Sequence, residues 1–306
     1  MARAVRFDQY GGIEVLYVAD VDVPAPARGE VLVAVRAASV NPGESAMRQG
    51  YLADLYPASF PSGQGSDLAG VVTQTGEESG TFAPGDEVLG WTDARTSHAQ
   101  YVSVPVDHLI HKPANLSWEA AGSLYVVGAT AYAAVRAVGA GPGDTVGVSG
   151  AAGGVGSVVV QLLRVRGAEV VGIASPANHA WLRAKGATPV EYGPGLAQRV
   201  REAAPSGLDA FIDTFGKDYL ELAIDLGVAP ERIDTIIAFE AAGRLGTKTE
   251  GSSAAASADV LSELAELVSS GRVEIPVAAT YPLDRVREAY EELERRHTHG
   301  KIVLLP

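Results

Sequence analysis

DTVGVSGAAGGVGSVVVQLLRVRG, residues 144–167, is the stretch that decides the fold. A short β-branched run leads into a cluster of small residues, and the cluster leads into apolar positions with helical spacing. Thr145 to Leu163 carries no charge and is long enough by count to cross a membrane. Its five glycines and the SGAAGGVG break at 149–156 make it strand, turn and helix instead. A dinucleotide pyrophosphate asks for such a turn, because it is held by backbone N–H groups at a helix N-terminus with no side chains in the way. The spacing is Ala151-X-Gly153-X-X-Gly156, with alanine where the strict fingerprint has its first glycine. Spacing alone suits a closely packed αβ turn equally well, so the flanking chain has to decide.

Downstream, EVVGIAS (169–175) precedes NHAWLRAKGA (178–187), PVEY (189–192) precedes LAQRVREAA (196–204), LDAFIDTF (208–215) precedes KDYLELAIDL (217–226), and ERIDTIIA follows at 231–238. Strands alternating with helices of this length predict an α/β Rossmann domain, a doubly wound parallel sheet, over residues 119–256. Upstream lie short β-rich pieces cut by Pro and Gly: VLVAVRAASV (31–40), LAGVVTQTG (68–76), DEVLGW (86–91) and AQYVSVP (99–105). They predict a β-rich domain over 1–118, joined by a helical segment at 118–138. Pro-Gly-Asp-X-Val occurs at 84–88 and 142–146, each time as a turn feeding a strand. A Gly/Ser/Ala-rich stretch at 251–257 reads as a linker. The last pieces, through VEIPVAAT (273–280) to GKIVLLP (300–306), return to the first domain, which then comprises 1–118 and 257–306.

Two domains suit 306 residues, and 47% apolar with 20% charged residues suit a large core. The net charge of −13 argues against nucleic acid and anionic membranes as partners. With no cysteine, thiolate catalysis, disulfides and thiolate zinc sites are excluded. MARAVRFDQYGGIEV has no apolar h-region, so a cytoplasmic location is expected.

An acid at the end of the second Rossmann strand would grip the ribose hydroxyls of NAD; here the position holds Ser175. A carboxylate would repel a 2′-phosphate, whereas a hydroxyl flanked by Asn178, His179 and Arg183 can receive one, which favours NADPH over NADH. Singly, His179 and Arg183 also read as a solvated helix turn.

At these residues the chain resembles the zinc-independent quinone oxidoreductase branch of the medium-chain dehydrogenase/reductase superfamily. The matching phrases are SVNPGE (39–44), GSDLAGVV (65–72), PGDEVLG (84–90), AQYVSVP (99–105), GATAYAAV (128–135), AAGGVG (151–156) and HGKIVLLP (299–306). The resemblance implies a GroES-like catalytic domain beside the Rossmann domain and hydride transfer from NADPH to a quinone or enone. Zinc-dependent members carry Cys where this chain has Asn41, and Gly-His-Glu where it has Gly65-Ser66-Asp67. No zinc is therefore expected. By position the resemblance implies Asn41 near the nicotinamide, with Tyr51 as proton donor at the substrate mouth and Tyr56 competing for that role. It also implies Thr130, Ala151, Gly153, Gly154, Val155, Gly156, Tyr192, Thr214 and Phe239 as cofactor contacts, joining Ser175, Asn178, His179 and Arg183. Either tyrosine could equally pack a loop, Thr130 could bond within its helix, and Asp213 could cap the helix that follows it. Trp91 reads as either substrate platform or core. Many relatives have Pro-Gly-Gly before the fifth strand; Ala229-Pro230-Glu231-Arg232 here implies a reshaped nicotinamide side. The apolar strand around Ile236 and Ile237 could continue a sheet across a two-fold axis in a homodimer; a monomer is the alternative. The competing functional reading is a catalytically idle NADPH-binding structural or sensor protein. A zinc alcohol dehydrogenase is a third, disfavoured by the missing ligands.

Overall fold

The computed structural model describes all residues from Met1 to Pro306. The chain divides into two compact units, Met1–Val126 with Ser257–Ser269 and Val277–Pro306, and Val127–Ala256 with Ser270–Pro276.

The second unit carries five parallel strands. In sheet order they are Thr188–Glu191, Glu169–Ala174, Thr145–Ser149, Ala210–Asp213 and Ile233–Thr235. Chain order runs outward in both directions from Thr145–Ser149, so its carboxyl end is the point where the winding reverses and where such sheets bind ligands. Val171, Ile173, Phe211, Leu220 and Ile233 form one buried cluster between sheet and helices.

The first unit is built on a seven-stranded, mainly antiparallel sheet. Its strand Glu30–Ser39 pairs with Asp67–Thr75, Tyr101–Pro105 and the C-terminal strand Lys301–Leu305. The parallel neighbour of Lys301–Leu305 is Val277–Pro282, so both late strands join the sheet of the N-terminal part. The two Pro-Gly-Asp turns are made alike. Gly85 and Gly143 have φ of 102° and 91°, and the carboxylates of Asp86 and Asp144 each accept an N–H from three residues earlier at 2.8 Å.

The helical segment at 118–138 is broken into Trp118–Ala121 and Leu124–Ala137. Gly122 lies at the break, where any Cβ would stand 2.4 Å from the Ala37 carbonyl oxygen. The expected strand at 231–238 needs correction. It is only Ile233–Thr235, preceded by a 3₁₀ turn at Pro230–Arg232. The Thr235 hydroxyl accepts the N–H groups of Ile237 and Ala238 at 3.3 and 3.0 Å, which curls the chain away despite two β-branched isoleucines. Ile236 and Ile237 therefore do not extend the sheet. The outer edge is also closed, since Thr235 N donates to Lys248 O and Lys248 N donates to Ile233 O. The outward backbone groups Ile233 O and Thr235 N are thus already paired within the chain, and the expected continuation of the strand through Ile236 and Ile237 is not formed.

Asp234 sits in this edge strand, fully buried. One carboxylate oxygen accepts the N–H of Glu250 at 2.8 Å, and the other has no hydrogen-bond partner. Burial, with smaller pushes from the charges of Glu250 and Asp213, raises its carboxyl from 3.8 to about 6, against the opposing Glu250 N–H and Lys248. The folded state thus holds the proton more tightly than the unfolded chain. Stability contributed by this group is full below the unfolded value and is lost as pH rises through the folded one. Urea unfolding should show a loss of at most about 3 kcal/mol between pH 4 and 7.5 that is absent in Asp234→Asn. An identical pH dependence in wild type and variant would refute this assignment.

Candidate functional site

The turn after Thr145–Ser149 explains the imperfect fingerprint. Gly150 takes φ +58°, so the left-handed residue of the tight turn lies one position before Ala151. Ala151 is fully buried, its N–H donates to Ile173 O at 3.1 Å, and a Cβ on Gly172 would sit 3.1 Å from its methyl. A methyl group fits there because the neighbouring strand supplies the glycine. Gly156 packs so closely that a Cβ would meet Gly150 O at 2.2 Å. Around Gly153 the only atom near such a Cβ is Gly150 O, at 3.3 Å, so the lip of the turn is open. The helix Gly154–Val165 starts there, and the N–H groups of Gly154, Val155 and Gly156 lie in its first turn, where no helical carbonyl precedes them. An open lip, small residues and twelve helical residues behind it fit a pyrophosphate.

The neighbouring strand ends carry the other expected cofactor residues. Ser175 follows Glu169–Ala174, and its hydroxyl accepts from Asn178 Nδ2 at 3.1 Å. The His179 ring nitrogen Nε2 lies 3.3 Å from Ala174 O, and Arg183, one turn on, is exposed. Tyr192, just past Thr188–Glu191, is half exposed. The Thr214 hydroxyl donates to Ser149 O at 2.7 Å, which places Thr214 beside the glycine turn. Phe239 is exposed at the start of helix Phe239–Leu245, and Thr130 is buried in Leu124–Ala137. Asp213 does not cap the helix Tyr219–Asp225. Its buried carboxylate accepts from Ser149 Oγ (2.5 Å), Phe215 N (3.0 Å), Gly216 N (3.0 Å) and Thr235 Oγ1 (2.8 Å). One side chain thereby ties three strand ends together.

Asn41, Tyr51 and Tyr56 belong to the first unit. Asn41 precedes helix Pro42–Arg48 and is almost fully buried. Its Nδ2 donates to Glu44 Oε1 (3.1 Å) and Asp67 Oδ2 (3.0 Å), while its Oδ1 accepts from Lys301 Nζ at 2.5 Å. Both amide hydrogens are used. Glu44 also accepts Asn41 N, Ser66 N and the Tyr290 hydroxyl, at 3.0, 3.0 and 2.7 Å. Asp67 further accepts Ser39 Oγ at 2.5 Å and Val126 N at 2.7 Å. Burial pushes the Asp67 carboxyl up and the Lys301 ammonium down, each opposed by the other's charge. Tyr51 and Tyr56 stand apart from this network, 78% and 51% exposed. Trp91 is no platform: Tyr125 and His108 stack on it at 4.3 and 4.4 Å, and it is 3% exposed.

The sequence reading missed Lys301, Glu44 and Ser39. Asn41 and Lys301 are 260 positions apart, and no periodicity reports such a contact. The phrases SVNPGE, GSDLAGVV and HGKIVLLP contained all of these residues, so their joint presence was the available signal. The site does not fit zinc. Asn41, Ser66 and Asp67 offer one carboxylate and no thiolate or imidazole, the Lys301 ammonium already lies beside the oxygens of Asn41 and Asp67, and no group of three His, Asp or Glu side chains is arranged for a metal.

Residues 27–114 match the alcohol dehydrogenase GroES-like domain family, and residues 185–304 match the family described as zinc-binding dehydrogenase. A quinone oxidoreductase of Pseudomonas aeruginosa is 30% identical over 332 residues, spanning all of both chains. The human mitochondrial NAD(P)H oxidoreductase RTN4IP1 is 29% identical over 97% of this chain and 87% of its own. The solved quinone oxidoreductase of Coxiella burnetii superposes with a TM-score of 0.89 at 30% identity, covering 100% of this chain and 99% of that one. With the wound parallel sheet, its glycine turn and the antiparallel partner unit, these matches establish that the chain belongs to the quinone oxidoreductase branch of the medium-chain dehydrogenase/reductase superfamily.

Proposed function

We propose that the protein is an NADPH-dependent, metal-free reductase of quinones or α,β-unsaturated carbonyls. The observation that carries this reading is the open glycine turn at the point where the sheet reverses, beside a strand end that presents Ser175 in place of an acid. Names of relatives, quinone oxidoreductase and NAD(P)H oxidoreductase, support it. A bound nicotinamide supplies the hydride. The chain's work is then to bind, orient and exclude water. The first-turn N–H groups of Gly154, Val155 and Gly156, with Gly153 and Ala151 leaving room, receive the pyrophosphate. Ser175, Asn178 and His179 receive the 2′-phosphate, with Arg183 adding charge and Tyr192 a wall. Thr130, Thr214 and Phe239 complete the cofactor's surroundings. In the other unit Asn41 is a fixed amide, and the exposed hydroxyl of Tyr51 or Tyr56 delivers the proton that the reduced acceptor takes up. The metal-free reading rests on the donor set at positions 41, 66 and 67.

The test is a fluorescence titration with NADPH and NADH, followed by NADPH oxidation with a panel of quinones and enones. NADPH should bind at least about tenfold more tightly, and Ser175→Asp should erase that preference by setting a carboxylate against the phosphate while leaving NADH affinity intact. Equal affinities in the wild type would overturn the cofactor assignment. Tight NADPH binding without turnover on any acceptor would favour the idle relative.

A further inference from the structure

The ammonium of Lys301 is 260 positions from its main partner and buried, with a side chain 4% exposed. Three oxygens surround it: Asn41 Oδ1 at 2.5 Å, Val40 O at 3.1 Å and Asp67 Oδ2 at 4.0 Å. Burying a lysine beside a carboxylate is costly unless geometry and added hydrogen bonds offset it, and here the added hydrogen bonds go to Asn41 Oδ1 and Val40 O. Asn41 opens the helix Pro42–Arg48, which a turn connects to Tyr51, and Asp67 opens the strand Asp67–Thr75. The Asn41 amide bridges two carboxylates, Glu44 and Asp67, whose like charges would otherwise repel. Its oxygen can point in one direction only, toward Lys301, because both amide hydrogens are committed.

We propose that Lys301 is an internal cation and a positioning residue, whose ammonium fixes the Asn41 amide between Glu44 and Asp67 and so holds the 39–51 segment in its working shape. The site it fills is a small oxygen-lined cation site, and with the lysine stem removed it would take a primary ammonium ion. The link to turnover rests on the proposed reductase function; the binding claim does not.

The test compares Lys301→Ala with Lys301→Met, in full-length protein, with methylammonium or tetramethylammonium chloride at equal ionic strength. Lys301→Ala should lower the thermal midpoint and slow acceptor turnover by about tenfold or more, as a misplaced residue does. NADPH affinity, set by the other unit, should stay within about twofold. Methylammonium should restore both the midpoint and turnover of Lys301→Ala. Tetramethylammonium should not, and neither ion should restore Lys301→Met, whose stem fills the site. Wild-type stability and turnover in Lys301→Met would overturn the proposal, and so would a folded Lys301→Ala that methylammonium does not rescue. If the wild type itself reduces no acceptor, the functional reading falls, while rescue of the thermal midpoint still decides the cation site. If Lys301→Ala does not fold even with methylammonium, Lys301→Met at wild-type turnover remains the overturning result and reduced turnover the supporting one.

Discussion

Gly156→Ala is expected to abolish measurable NADPH binding, weakening it by at least about a hundredfold, through one added methyl group. The new Cβ would lie 2.2 Å from Gly150 O, 2.8 Å from Gly150 C and 3.0 Å from Ala151 Cα. All three are backbone atoms of the turn itself, so no side chain can swing aside. Either the helix start moves off the turn or the turn flattens, and both displace the N–H groups that must converge on one pyrophosphate. Gly156 lacks a positive φ, so the effect is spatial and not conformational. Gly251→Ala is the control, because nothing lies within 4 Å of its Cβ position. Undiminished NADPH affinity in Gly156→Ala would show that the phosphates bind elsewhere.

Asp213→Ala is expected to cost about 3–5 kcal/mol of stability, read from urea unfolding, because it strips the acceptor from four buried or half-buried donors at once. Those donors come from Ser149, Phe215, Gly216 and Thr235, and two of them are themselves relays. Ser149 Oγ accepts Thr214 N, and Thr235 Oγ1 accepts Ile237 N and Ala238 N. Loss of the carboxylate should therefore raise amide exchange at 214–216 and 237–238 more than at the opposite strand ends. Asp213→Asn keeps an acceptor but turns two amide hydrogens on existing donors, so it should fall between alanine and wild type. A change below about 1 kcal/mol for Asp213→Ala would mean that water replaces the carboxylate and that the strand ends are not tied by it.

The wound sheet was legible because its information is local. Each strand is a short apolar run beside a helix with its own period, and a Pro-Gly-Asp turn marks the start of the central strand Thr145–Ser149. The return of the last strands to the first domain was legible as strand-like runs and from the resemblance, and pairing of Lys301–Leu305 with Glu30–Ser39 supplies the contact. What failed was propensity against context. Ile236 and Ile237 favour strand, but the Thr235 hydroxyl accepts the N–H groups of Ile237 and Ala238 and bends the chain. Trp91 could not be assigned because stacking by Tyr125 and His108 is a long-range fact. At the candidate site, the glycine turn and Ser175 were singled out by spacing together with the flanking strands and helices, whereas the Glu44, Asp67 and Lys301 cluster depends on three segments meeting. Asn41 was singled out by resemblance, and the geometry adds that its amide is occupied by protein partners.

The stacked Trp91 also has an optical use. Trp91 and Trp118 lie in one unit and Trp181 in the other. With Trp181→Phe, tryptophan emission reports the first unit alone, and with phenylalanine at 91 and 118 it reports the second. Superimposable denaturant curves would mark a single cooperative transition, and separated curves would give each unit a stability of its own.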